Sequence, residues 1–195
     1  MSYKSIPYTY GVLEVSEINA LTGMEEGDTV YNKDWQIVEI YSGTNWVNSQ
    51  SQEFTTASAT VIPPTGTIPS GDRSGNPYPS DGGYNISQEN SSDSDVELGT
   101  DDQLDYIGCK IRGTSTSGAQ ERIVVAFSGK WDMFMENDAN KGEFVVIDST
   151  SPGGRFRSTT SASSDHVGSV VGASASSGSD TFRNYKCAVQ TVELQ

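Results

Sequence analysis

Short apolar runs separated by turn-forming residues recur along this chain, and they limit it more than any other feature. From residue 105 onward, seven segments rich in β-branched and aromatic residues alternate with turns rich in Gly, Ser and Asn. Such runs are typical of β-strands. We therefore predict an all-β fold, with residues 105–195 forming a C-terminal β-sandwich or small β-barrel. The segments are DYIGCKIRG, ERIVVAFSG, KWDMFMEN, GEFVVIDS, GRFRSTT, HVGSVVGAS and RNYKCAVQTVEL.

The sequence pattern of residues 1–54 predicts a small helix-plus-β-meander module. Ser16 is suited to cap a short helix, on which Ile18 and Leu21 share a face, and Gly23 supplies the left-handed residue after it. GDTVYN and WQIVEIYSG then read as strands joined by a turn at residues 32–34, and WVNS follows. Strand alternation divides the middle segment into one face with Trp35, Ile37, Glu39 and Tyr41 and another with Gln36, Val38 and Ile40.

Residues 55–104 differ in composition from both flanks. Five of the seven prolines lie between Pro63 and Pro79. The segment contains eight acidic residues and one basic residue, Arg73, so it carries half of the net charge of −14. A segment with so little apolar surface cannot fold alone. We predict a linker or an extended arm laid on another surface, with apolar anchors at Ile62, Ile68, Tyr78, Tyr84 and Ile86.

The net charge of −14 argues against two classes of partner. An acidic protein repels phosphate backbones and anionic lipid surfaces, so we expect neither nucleic acid nor membrane as a partner. No stretch approaches the apolar length that crosses a bilayer, and the N-terminal MSYKSIPYTYG lacks the charged start and apolar core of a signal peptide. We expect synthesis in, and initial retention in, a cytoplasm.

Residue patterns that carry catalysis are missing from the sequence. His166 is the one histidine, and neither a nucleophile elbow nor a phosphate-binding loop nor a zinc motif accompanies it. We interpret His166 as an exposed or strand-edge residue. Cys109 and Cys187 lie in strand-like segments and are expected to be buried free thiols. We therefore expect no enzyme activity and no cofactor.

The acidic run SSDSDVELGTDDQLD raises the possibility of a Ca²⁺ site. Asp93, Asp95, Asp101 and Asp102 supply oxygen atoms, but the glycine and terminal glutamate of an EF-hand loop are missing. Like charges in sequence usually repel and stay hydrated. We therefore interpret the run as a solvated acidic loop and predict no metal site.

The stretch EINALTGMEEGDTVYNKDWQIVEIYSGTNWVNS resembles a short module that recurs in structural proteins of tailed bacteriophages, in tail fibres and in head-decorating or cement proteins. There a helix ending in a G-M element precedes GD-x-V-x-N, and a variable strand leads to Y-x-G-x-x-W. The match covers residues 17–49. The residues of this chain that carry it are Leu21, Gly23, Met24, Gly27, Asp28, Val30, Asn32, Tyr41, Gly43 and Trp46.

The resemblance implies assembly or attachment rather than catalysis. Neither coiled-coil heptads nor internal repeats of a fibre shaft occur in the chain. We therefore expect a capsid decoration (cement) protein that lies on the outer surface of the virion head. Before assembly, we expect it in the host cytoplasm. It would bridge neighbouring subunits of the major capsid protein, and the resemblance implies a homotrimer. The alternative is a tail fibre or tail-associated adsorption protein that binds a host receptor or glycan through its tryptophans and polar loops.

Overall fold

The fold is all-β, as predicted, with one short helix among the residues that the structure describes. The computed structural model describes residues 6–56, 83–88, 95–98, 106–113, 122–135, 139–148, 154–162, 166–172, 181–182, 185–186 and 188–194. The N-terminal elements are β1 (Thr9–Leu13), α1 (Val15–Asn19), β2 (Thr29–Asn32), β3 (Ile37–Tyr41), β4 (Trp46–Val47) and β5 (Ser51–Thr56). The remaining strands are β6 (Tyr84–Gln88), β7 (Asp95–Leu98), β8 (Tyr106–Gly113), β9 (Arg122–Ala126), β10 (Gly129–Met135), β11 (Phe144–Ile147), β12 (Phe156–Thr159), β13 (Gly168–Val170), β14 (Thr181–Phe182), β15 (Tyr185–Lys186) and β16 (Ala188–Leu194).

The first four strands form one sheet in the order β1-β2-β3-β4, here called the N-terminal sheet. β2, β3 and β4 are antiparallel neighbours, so this part is the predicted meander. β1 was not predicted, and it pairs with β2 in parallel. A parallel pair needs a crossover connection, which α1 and the loop after it provide.

The helix begins earlier than the sequence analysis predicts. α1 spans Val15–Asn19, and Glu14 rather than Ser16 occupies the N-cap position. The backbone N–H of Glu14 donates to the Glu17 carboxylate at 2.9 Å, so the first turn is closed by a carboxylate three residues on. Gly23 adopts a left-handed φ of 75°, but it lies beyond the helix end at Ala20.

Two five-stranded sheets follow, and the pairings of each close into a ring. The first ring has the cyclic order β5-β7-β6-β8-β9, and the second ring has the order β10-β12-β11-β13-β16. The second ring closes where Met135 of β10 pairs with Phe156 of β12. Each of the seven segments predicted in the C-terminal region contains a described strand.

The described strands divide the chain differently from the predicted boundaries. β6 and β7 lie within residues 55–104, predicted as a linker or arm, yet they pair with β8 and β5 of the first ring. β5 begins within residues 1–54 and also belongs to this ring. β5, β6 and β7 become part of the first ring because neighbouring strands supply the apolar contacts that these polar segments lack. The anchors Ile62, Ile68 and Tyr78 lie outside the described residues.

The largest core cluster draws side chains from both rings. Cys109 and Val124 of the first ring join Trp131, Met133 and Phe156 of the second, all at 1% exposure or less. Three partly buried side chains of the N-terminal region pack against the same cluster, namely Trp35, Ile37 and Val47. The N-terminal sheet is therefore joined to the rings by apolar packing.

Candidate interaction face of the N-terminal module

Five of the ten motif residues lie in or against the interior of the N-terminal module. Val30 and Trp46 are buried with Ile18 in a separate core cluster. Leu21, Met24 and Tyr41 of the motif pack against this cluster, together with Tyr10 and Leu13. The rings of Tyr41 and Trp46 lie 5.3 Å apart between centroids. These five motif residues therefore specify folding.

The three motif glycines occupy backbone conformations that other residues rarely adopt. Gly23, Gly27 and Gly43 have φ values of 75°, 98° and 92°. Left-handed backbone of this kind is inexpensive only for glycine. At Gly27 the turn also matters for pairing, because its N–H donates to the carbonyl of Tyr41 at 2.9 Å.

Asp28 joins the N-terminal strand to the loop that precedes β2. Its carboxylate accepts hydrogen bonds from the backbone N–H of Tyr8 at 2.8 Å and of Glu25 at 2.9 Å. The hydroxyl of Tyr10 donates to the same carboxylate at 3.4 Å. The bonds from Glu25 and Tyr8 lower the pKa of Asp28, because they favour the ionised form.

Asn32 and Glu39 form a polar contact beneath the N-terminal sheet that reaches the first ring. The side-chain amide of Asn32 donates to Glu39 at 2.9 Å, and its oxygen accepts from the backbone N–H of Asp34 and Trp35. Glu39, fully buried, receives two hydrogen bonds from the Arg112 guanidinium, at 2.8 and 3.0 Å. This bidentate pair links β3 to β8.

Trp35 covers the ion pair. The Arg112 guanidinium carbon lies 4.9 Å from the centre of the Trp35 ring, within cation–π range. Trp35 in turn packs edge-on against Trp131 of the second ring, with centroids 4.8 Å apart. Trp46 and Trp131 are buried at 4% and 1% exposure. All three tryptophans thus make packing contacts within the protein.

The side of the N-terminal sheet that faces away from this core carries exposed apolar side chains. Val12, Tyr31 and Val38 are register partners across β1, β2 and β3. A second row joins Thr9, Thr29 and Ile40. Val12, Val38 and Ile40 are 64%, 57% and 47% exposed. We call this surface the outer face, formed by Thr9, Val12, Thr29, Tyr31, Val38 and Ile40.

A β-bulge places Val12 on the outer face. The register between β1 and β2 shifts between Thr9 and Val12, where Tyr10 and Gly11 of β1 lie opposite the single residue Val30 of β2. Gly11 within this bulge has a φ of 87°. Simple alternation from Thr9 would turn Val12 inward, but the extra residue turns it outward beside Tyr31. Tyr10 meanwhile points inward, where its ring contacts Trp46 edge-on.

The six residues of the outer face are uncharged, and the exposed ion pair of Lys33 with Glu14 lies just beyond the ends of β2 and β1. In strands β1 to β4, all of which the structure describes, Glu39 is the one charged residue, and it points inward to Arg112. The chain as a whole contains 26 acidic and 12 basic residues. An uncharged apolar face on so acidic a protein is the type of surface that marks protein contacts.

The side chains of His166 and Cys109 pack against other residues of the fold. His166 is half-buried before β13 and its ring packs on Phe144, with centroids 5.1 Å apart. Cys109 is a buried free thiol, and burial, together with the charge of Asp132, raises its pKa. A thiol with a raised pKa is a poor nucleophile, because the thiolate is the reactive form. Cys187 lies outside the described residues.

Neither a metal-binding cluster nor a helix able to span a membrane occurs among the described residues. In that part of the chain, no group of three or more His, Cys, Asp or Glu side chains is arranged to hold a metal ion. Asp93, Asp101 and Asp102 of the acidic run lie outside it. The described helix is also too short to cross a bilayer.

Comparison of the chain with models of protein families, with curated proteins and with solved structures finds no match.

Sequence reasoning identified part of this site. The predicted alternation places Val38 and Ile40 opposite Ile37, Glu39 and Tyr41, and the burial pattern of β3 agrees. Gln36 instead belongs to the turn before β3, with a left-handed φ of 57°. Val12 was missed because Gly11 interrupts the strand pattern. The Glu39–Arg112 pair has no local signal, since 73 positions separate its members.

Proposed function

We propose that this chain is a structural protein of a tailed-phage virion and acts as a capsid decoration, or cement, protein. In this role it binds the outer surface of the head and stabilises it by bridging neighbouring subunits of the major capsid protein. The proposal rests on the motif resemblance and on one structural observation. The motif residues build a compact support, and that support presents an uncharged apolar face.

The surroundings of the reactive side chains favour a binding role over catalysis. The buried Cys109 thiol has a raised pKa, and His166 packs against Phe144. The strong polar contacts of the module, Asp28 with two backbone amides and Glu39 with Arg112, are satisfied within the protein. Such contacts rigidify a surface, and a rigid surface loses less entropy when a partner binds.

The negative charge is consistent with attachment outside a particle. A charge of −14 opposes contact with packaged nucleic acid and keeps the protein soluble before assembly. Attachment at many equivalent positions of a lattice allows contacts of modest individual strength to hold collectively. A decoration protein with these properties would occur in many copies per particle.

The test uses the purified protein and expanded, undecorated capsids of the same virus. We expect the protein to cosediment with the capsids up to a fixed stoichiometry and to raise the temperature at which they lose their contents. Capsids already carrying the protein are the matched control and should take up no more. Absence of retention on undecorated capsids would overturn the proposal, and a few copies confined to the tail of intact virions would support the adsorption alternative.

A further inference from the structure

We propose that a water molecule binds in the interior between the two rings, held by Asn85 and Ser87 of β6 and by Tyr106 of β8. These three side chains are here called the junction site. They supply one amide oxygen and two hydroxyl groups where the first ring meets the segment that leads into β12. The inference does not depend on the proposed function, because it rests on contacts inside the protein alone.

Two contacts place the junction site against the second ring. The side-chain amide of Asn85 donates to the carbonyl of Arg155, and its backbone N–H donates to the carbonyl of Gly154 at 3.0 Å. The ring of Tyr106 packs edge-on against Phe156, with centroids 6.2 Å apart. Asn85 and Tyr106 therefore point toward neighbouring residues of one segment.

Ser87 lies between the other two members of the site. It is the register partner of Tyr106 across β6 and β8, and it is two residues from Asn85 on the same strand. Pairing of β6 with β7 is regular through this stretch, so the alternation of side chains along β6 is intact. Asn85 and Ser87 consequently share a face, and that face is the one that carries Tyr106.

Each member of the junction site brings a polar atom that solvent cannot reach. Within the described part of the protein, no group offers a hydrogen bond to Oδ1 of Asn85, Oγ of Ser87 or the hydroxyl of Tyr106. Asn85 and Ser87 are 0% and 6% exposed. The carbonyl of Arg155 can only accept, so the amide nitrogen of Asn85 faces it and Oδ1 is left for another partner. Buried water typically satisfies groups of this kind, with about three hydrogen bonds per molecule.

The chemistry of the junction site selects a small neutral ligand. Oδ1 of Asn85 only accepts, whereas each hydroxyl can donate or accept. Burial raises the pKa of Tyr106 well above its ordinary range, so its hydroxyl keeps a proton to donate. One water molecule can donate to Asn85, accept from Tyr106 and use its remaining capacity on Ser87. A bound ion would be costly, because the three neutral side chains provide no charge to balance it.

A crystal structure of the full chain, at a resolution that shows ordered solvent, tests the occupant directly. We expect density for a water molecule at about 2.7–3.2 Å from at least two of the three polar atoms. Side chains that bond one another or the backbone directly, with no bound water between them, would overturn the proposal.

Tyr106→Phe tests the same site through the direction of its effect on stability. Loss of a buried hydroxyl without a partner should leave the urea midpoint unchanged or raise it, because the cost of desolvation disappears. Loss of a hydroxyl that binds a held water molecule should lower the midpoint. We expect Tyr106→Phe and Ser87→Ala each to lower it. The double variant should lower it by less than the sum of the two, since both hydroxyls bind the same water molecule.

Tyr31→Phe is the matched control. Tyr31 is 38% exposed, so loss of its hydroxyl should leave the urea midpoint close to that of wild type. A midpoint that neither Tyr106→Phe nor Ser87→Ala lowers contradicts the proposal. Strictly additive losses in the double variant contradict it as well, because they show that the two hydroxyls share no ligand.

Discussion

Asp28 shows how one carboxylate can stabilise a chain reversal. Its hydrogen bonds to the amides of Glu25 and Tyr8 lower its pKa from the ordinary value of 3.8, so the folded state favours the ionised form. The stabilisation is fully present above the ordinary pKa. It is lost as pH falls through the lower pKa of the folded protein.

We expect Asp28→Asn to lower the urea midpoint of unfolding at neutral pH. An amide offers one oxygen where the carboxylate offers two, so at least one donor among Tyr8, Glu25 and Tyr10 loses its acceptor. The variant should also lose less stability than wild type between about pH 5 and about pH 3, because the titrating group is gone. Urea titrations at each pH measure both effects.

The control for this experiment is Glu26→Gln, a charge removal at an exposed position in the same loop. It should leave the neutral-pH midpoint close to that of wild type. If the midpoints of Asp28→Asn and wild type decline in parallel over the whole pH range, Asp28 does not contribute to acid sensitivity.

At the scale of single elements, close backbone approach limits what β8 can contain. A Cβ atom added at Gly108 would overlap the carbonyl oxygen of Ala126 in β9. Backbone cannot yield as a flexible side chain does, so the two strands would have to separate. The site therefore requires glycine for packing, not for an unusual φ.

We expect Gly108→Ala to lower the free energy of unfolding by about 1–3 kcal/mol, the usual range for overpacking. Gly142→Asn is the control, because an added Cβ there meets no atom within 4 Å and asparagine tolerates the left-handed φ of 93°. Equilibrium denaturation in urea measures both variants. Equal stability of Gly108→Ala and wild type would show that β8 and β9 can separate at little cost.

The elements that sequence predicts well are those with local patterns. Strands β8 to β13 lie in segments that carry β-branched or aromatic residues between turn residues, and each was placed within a few positions. β1, β5, β6, β7 and β14 were not predicted as strands. Gly11 breaks the pattern in β1, and β6 and β7 are polar segments whose pairing partners supply their order. Pairing between distant segments leaves no periodicity within either one.

At the scale of the whole molecule, the pair of Glu39 and Arg112 connects the N-terminal sheet to the first ring. Both side chains are almost inaccessible, with 0% and 5% exposure. A buried pair adds little net stability against an apolar replacement, but loss of one partner leaves a buried charge without its counterion. The sequence contains no sign of this connection, because 73 positions separate its two members.

We expect Glu39→Ala to lower the free energy of unfolding by about 3–5 kcal/mol, and the double variant Glu39→Leu/Arg112→Met to recover most of the loss. Hydrogen exchange should show amides of β2 and β3 opening before those of β10 in Glu39→Ala. Lys33→Ala is the control, because its ion pair with Glu14 is solvent-exposed and should matter little. Unchanged stability of Glu39→Ala would mean that the apolar contacts of Trp35, Ile37 and Val47 suffice.

The bulge at Gly11 also affects how far assembly can proceed. β1 and β4 are the outer strands of the N-terminal sheet, whereas the described strands of each ring form a closed order. An outer strand that is straight invites another chain to add to it, and such addition can continue without end. The irregular backbone around Gly11 works against that mode, so addition of another chain along β1 is disfavoured.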